Sequence, residues 1–119
     1  MIKTITAQEA APYFTEPCEE WMHYRALGGV CGAFHAHLWP DVWMGHLGAK
    51  REAWGRLDAS ARAIVASFAE EMNAARIVGW VKESNKPMLA LCRRIGFETD
   101  GRLPLAEPVV MVGWGRKWQ

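Results

Sequence analysis

The sequence predicts one α/β (α+β) domain across residues 1–119: a mixed sheet of about seven strands with about two to four helices, in the order β-α-β-β-β-α-β-α-β-β. Three observations carry this reading. Hydrophobic residues make up 50% of the 119-residue chain, enough for the core of one ordinary domain. Short apolar runs bounded by turn signals alternate with two stretches of helical periodicity. A strand candidate between those two stretches needs a helical crossover to a parallel neighbour, which makes the sheet mixed.

Residues 2–5 are a short β-prone start. Thr6 caps a helix beginning at Ala7, with Glu9 in the capping-box position, and Pro17 closes that helical region. Within 19–48, three apolar stretches are separated by Leu27-Gly28-Gly29 and Trp39-Pro40-Asp41, which predicts a three-stranded antiparallel meander. Residues 49–57 have no periodicity, and Asp58 then offers an N-cap to a long helix. Ala61, Ile64, Val65, Phe68 and Met72 form its apolar face, and its end is expected near Ala75. Residues 76–82 crowd Ile77, Val78, Trp80 and Val81 together, as in a strand covered on both faces. Ser84-Asn85 opens the next helix, with Pro87 in its first turn. Met88, Leu91, Cys92 and Ile95 are its stripe, and Gly96 stands just past its end. Residues 97–103 and 107–116 complete the pattern as two strands.

Composition excludes several function classes. A net charge of +1 with 23% charged residues lacks the basic excess of a nucleic-acid binder. Three cysteines without a CxxC pair, and no signal-like segment, point to a reducing cytoplasm. No apolar run approaches the roughly 18 residues of a membrane span. Seven tryptophans should lie mostly in the core. Trp39, Trp43, Trp114 and Trp118 have an alternative place in an interface or in the walls of a cleft.

The run from Asn85 through Lys86-Pro87-Met88-Leu89-Ala90-Leu91-Cys92-Arg93-Arg94-Ile95 to Gly96-Phe97 resembles the C-terminal motif of the GCN5-related N-acetyltransferase (GNAT) superfamily. That motif is a strand, an Asn, a helix and Gly-Phe. The resemblance implies a GNAT-like sheet, acetyl-CoA as co-substrate and transfer of an acetyl group to a small-molecule or protein amine, with no nucleic acid and no membrane as partner. A homodimer is compatible with it.

The resemblance also implies site residues. Coenzyme A would thread between the strands ending near Gly48 and Val81, past Leu47 and Gly48, with Asn85 on the cofactor side. The family's pyrophosphate loop, Gln/Arg-x-x-Gly-x-Gly/Ala, falls on Glu52-Ala53-Trp54-Gly55-Arg56-Leu57. Gly55 matches, whereas Leu57 and Glu52 depart from the pattern. Lys50, Arg51, Arg56 and Arg62 bring positive charge to that loop and the first helical turn, and Arg93 and Arg94 lie on the second helix. The family's tyrosine acid, seven residues after the Asn, is replaced by Cys92. His46, placed beside the acetyl group, is the leading candidate base because its imidazole titrates near neutrality; Glu52 is the alternative.

Two other readings compete. Cys31, His35 and His37 share one strand face and, with His46 across the hairpin, form a candidate metal cluster, although same-face neighbours lie roughly 7 Å apart along a strand. A GNAT-shaped domain that binds a partner without catalysing would explain the departures at Leu57 and Cys92. The short length and altered loop are similar to small accessory acetyltransferase-like proteins of bacteria and their phages.

Overall fold

The computed structural model describes residues 1–115. A short strand β1 (Lys3–Ile5) leads into helix α1 (Ala7–Ala10). The capping box forms as read: Glu9 N–H donates to Thr6 Oγ1 at 3.1 Å, and Thr6 N–H donates to Glu9 Oε1 at 2.9 Å. A 3-10 turn over Ala11–Tyr13 then ends the helical region, before Pro17 is reached, because Phe14 is already extended at φ −127° and ψ 151°.

Strands β2 (His23–Leu27), β3 (Val30–Leu38) and β4 (Val42–Ala49) form the antiparallel meander. Its first turn needs the two glycines, since Gly28 and Gly29 take φ of 58° and 80°. Helix α2 (Asp58–Glu71) carries the chain back over the sheet, so that β5 (Arg76–Lys82) runs parallel to β4. Helix α3 (Lys86–Arg94) and the antiparallel strands β6 (Glu98–Leu103) and β7 (Val109–Gly115) follow. The seven strands form one sheet in the order β1-β2-β3-β4-β5-β7-β6. The element order is the one the sequence predicts. Arg116 and Trp118 lie outside the described residues.

Ala33 and Phe34 are consecutive on β3 and therefore face opposite sides of the sheet. On the Phe34 side, α2 and α3 bury the larger core, including Ile64, Phe68, Ile77, Leu91 and Ile95. On the Ala33 side, α1 and the 3-10 turn pack Ala10 and Tyr13 against Tyr24 and Cys31. Phe34 stacks on Phe68 with ring centroids 4.0 Å apart and planes 8° from parallel. Arg25, 7% exposed, holds its guanidinium 5.4 Å from the Phe68 centroid and donates to Glu71 Oε2 at 2.9 Å.

Several expectations are corrected. Asp58 does not cap α2: it is the first helical residue, Leu57 holds the cap position, and no side chain caps the helix. The helix ends at Glu71 rather than near Ala75, because Asn73 takes the left-handed φ of 52° and Ala74 N–H turns back to the Ala69 carbonyl. Strand β5 is only partly covered on its second face, where Trp80 is 37% exposed. Of the described tryptophans, Trp43 and Trp114 are core residues, whereas Trp21, Trp39, Trp54 and Trp80 all show large exposed areas. Among the described residues, no helix is long and apolar enough to cross a membrane.

Candidate active site

Strands β4 and β5 pair only at Val42 with Arg76, Trp43 with Ile77 and Met44 with Val78. Beyond that point both strands continue, β4 to Ala49 and β5 to Lys82, with their outer edges still paired to Val30 on β3 and Val109 on β7. The two inner edges therefore separate, and 45–49 and 79–82 have backbone groups that no ladder between these strands satisfies. The separation begins between two glycines. A Cβ at Gly79 would stand 3.2 Å from the Gly45 carbonyl oxygen, so the backbones stay close up to the point of divergence.

A cavity of about 580 Å³ opens from this gap. It is lined by His46 and Leu47 of β4, Trp80 and Val81 of β5, Asn85 just before α3, Met88 and Cys92 of α3, and by Phe14, Glu16, Cys18, Met22 and Tyr24 on the side of α1. Its size falls in the range of small-ligand sites. His46 lies at the rim, its ring stacked on His35 with centroids 5.8 Å apart and planes at 20°. Trp21 packs edge-on against His35 at 5.4 Å, and His35 Nδ1 lies 3.2 Å from the Ala36 carbonyl. Partial desolvation at the rim, and secondarily the His35 ring, hold the His46 imidazole below its ordinary value, so the neutral, proton-accepting form is favoured at pH 7.

The structure brings His46, Leu47, Asn85 and Cys92 together in this cavity. Glu52 is not with them: it sits exposed on a 3-10 turn (Arg51–Ala53) outside the lining. Gly48 is also outside it, and a Cβ there would stand 2.4 Å from the Tyr13 carbonyl oxygen, so its glycine serves the close approach of the turn after α1. Asn85 is the N-cap of α3, its Oδ1 accepting from Met88 N–H at 3.3 Å. Burial pushes the Cys92 thiol up to about 11, so it keeps its proton at neutral pH. Cys92 also borders a second cavity of about 300 Å³ beside Arg93 and Arg102.

The loop before α2 has a mixed character. Gly55 takes φ 89° with open space where a Cβ would stand. The first intrahelical bond runs from Ala61 N–H to the Leu57 carbonyl, so the N–H groups of 58–60 have no partner within the helix. Leu57 packs against the larger core. Lys50 lies over the Tyr13 ring at 5.0 Å, Arg51 over Trp54 at 5.7 Å, and Arg56 donates to the Glu52 carbonyl at 3.2 Å. Arg62 donates to the Arg94 carbonyl, and Arg94 holds Asp58 by two bonds of 2.6 and 3.1 Å, which lowers the Asp58 carboxyl below its usual value. Lys50, Arg51 and Arg56 lie on the loop that leads to the open helix start.

The candidate metal cluster does not assemble. Among the described residues, no three His, Cys, Asp or Glu side chains converge on a common point. Cys31 is fully buried in the smaller core, where burial first, and nearby Cys18 second, push its thiol up to about 12. His35 and His46 meet by ring stacking alone.

Sequence reasoning missed the cavity wall formed by 14–24. Nothing in its composition announces it; it depends on Tyr24, whose hydroxyl donates to the Glu19 carbonyl at 2.9 Å and closes the loop. Burial pushes that phenol up to about 12, with Cys18 adding to the rise.

No protein-family model matches the sequence, and no curated protein matches it. Solved structures do. The ribosomal-protein-S5-alanine acetyltransferase from Vibrio fischeri superposes with a TM-score of 0.73 at 9% identity, over 99% of this chain and 94% of that one. An acetyltransferase of the GNAT family from Bacillus anthracis gives a TM-score of 0.66 at 17% identity, over 82% of this chain and 67% of that one. AAC(6')-Ib, solved in complex with ribostamycin and coenzyme A, gives 0.65 at 18% identity, over 81% and 64%. At such identities the likeness speaks for architecture alone. The chain has the GCN5-related N-acetyltransferase fold.

Proposed function

We propose that this chain is an acyl-CoA-dependent N-acetyltransferase that moves an acetyl group from acetyl-CoA to an amine on a small molecule or a protein. The observation that carries the reading is the opening of β4 from β5 into a cavity that gathers His46, Asn85 and Cys92. The residues present fit the co-substrate. Freed backbone edges at 45–49 and 79–82 suit the amide groups of a pantetheine arm. The uncapped start of α2, with Lys50, Arg51 and Arg56 beside it, suits a pyrophosphate.

Bound acetyl-CoA supplies the activated acyl group. The chain's own residues do the rest. His46, neutral at pH 7, accepts the proton that an amine must lose to become a nucleophile. His35, itself packed edge-on by Trp21, holds that imidazole in place by ring stacking. Cys92 closes the inner wall, and Asn85 fixes the start of α3 beside it. Orientation of amine and acyl group in one apolar cleft supplies much of the acceleration. Glu52 has no part in this chemistry, since it stands outside the cavity.

Calorimetric titration with acetyl-CoA and CoA tests the proposal. Micromolar dissociation constants, with a rise in melting temperature, support it; constants above about 1 mM for both reject it, because the linkage stabilisation then vanishes at ordinary ligand concentrations. The Asp58–Arg94 pair at the helix start, and a thiol where the family has a tyrosine, favour a second reading as a non-catalytic binding module. Tight CoA binding without thiol release against any primary amine would select that module.

A further inference from the structure

We infer that Glu16 selects the acceptor, and that the acceptor is a primary amine with an apolar body and no carboxylate beside its nitrogen. The inference rests on the acetyltransferase reading above. Among the described residues lining the large cavity, Glu16 is the one acidic side chain and Lys82 the one Lys or Arg. Lys82 is turned to Glu107, 3.5 Å away and outside the lining. Lys50 rests on the Tyr13 ring and is not a lining residue either. Thr15 Oγ1 donates to Glu16 Oε2 at 3.1 Å, and among the described residues Oε1 has no hydrogen-bond partner.

The loop that carries Glu16 strengthens the field. Residues 12–22 include Glu16, Glu19 and Glu20 and no Lys or Arg, and all three carboxylates are exposed. A cationic amine is drawn to this wall, and a carboxylate is repelled from it. Phe14, Pro17, Met22 and Trp80 line the same cavity and offer an apolar surface for the rest of the acceptor. Glu16 and His46 line the same cavity, so an ammonium held by Glu16 stands in the cleft that contains the base.

The proton and bond changes balance in this arrangement. The ammonium held by Glu16 gives one proton to His46. Its nitrogen then forms the amide bond as the thioester C–S bond breaks, and its second proton passes to the departing sulfur. His46 returns the first proton to solvent.

Three probes with the same phenyl body test the inference on the CoA-bound protein: phenethylamine, phenylalanine and phenylacetate. Phenethylamine should bind at least about 10-fold more tightly than either carboxylate, the scale of one charge-assisted contact at a partly solvated site. Glu16→Gln should remove most of that preference while the affinity for CoA stays unchanged. Thr15→Ala, which removes only the local hydroxyl, should keep it. Equal binding of phenylalanine and phenethylamine, an unaltered preference in Glu16→Gln, or no binding of phenethylamine while CoA binds normally would overturn the inference alone. Failure to bind CoA would overturn the acetyltransferase reading, and this inference with it.

Discussion

Replacing Gly45 by alanine probes the point where β4 leaves β5. The added Cβ would stand 3.1 Å from Cδ1 and Cε1 of Phe34 and 3.2 Å from Cγ2 of Ile77. Both neighbours are tightly held: Phe34 and Ile77 are each 1% exposed, and the Phe34 ring is stacked at 4.0 Å on Phe68, which is 0% exposed. Overpacking of this kind costs about 1–3 kcal/mol. With an unfolding entropy of about 2.1 cal/mol/K per residue, that corresponds to a fall of about 4–12 °C in melting temperature. Near-ultraviolet circular dichroism through a thermal scan reads it directly. A Phe34→Leu background removes the ring edge, so the alanine should cost less there by about 0.5–3 kcal/mol, the coupling expected of touching residues. A change below about 2 °C in the single variant, or the same cost in both backgrounds, would refute the packing argument.

Three further predictions follow from the cavity. His46→Asn should lower the acetyl-transfer rate by about 10²- to 10⁴-fold and leave melting nearly unchanged, since the ring lies at an exposed rim. The rate of the unaltered protein should fall as pH drops through a midpoint below 6.5, and His35→Ala should move that midpoint up, with Glu16 acting in the same upward direction in both proteins; a midpoint above 6.5 would contradict the environment described. Because the folded imidazole resists protonation, His46 contributes stability that is present above 6.5 and lost as pH falls toward its lowered value, a trend that His46→Asn should flatten in urea titrations. Cys31 and Cys92, pushed to about 12 and about 11, should resist iodoacetamide at pH 8 until urea unfolds the chain, and mass spectrometry showing either alkylated in the native protein would count against their burial.

Much of the fold is legible because its signals are local. The Thr6–Glu9 box, the Gly28–Gly29 turn and the Asn85 to Gly96 frame of α3 each depend on residues within about a dozen positions of one another. The errors lie where a distant partner decides. Asp58 reads as a cap, but its carboxylate is taken by Arg94 on another helix. Trp80 reads as part of a strand covered on both faces, yet it is 37% exposed where the gap leaves the sheet uncovered. Asn73 stops α2 by adopting a backbone conformation that its side chain only permits.

The site divides in the same way. His46, Leu47, Asn85 and Cys92 are found from strand position and motif spacing, and the structure places them in one cavity. Gly45 and Gly79 escape notice because their purpose is a contact across strands far apart in sequence. Glu16 escapes because a loop between α1 and β2 has no periodicity to mark which side chain turns inward.

Amide hydrogen exchange, followed residue by residue with and without saturating CoA, bears most directly on the central claim that the opened strands hold the co-substrate. Exchange should slow at 45–49, 79–82 and 58–60, where inner strand edges and helix N–H groups lack ladder or intrahelical partners, and stay unchanged along β1 and β6. Protection confined to the second cavity around Lys86, Arg93 and Arg102, with the amides of 45–49 exchanging as before, would contradict it.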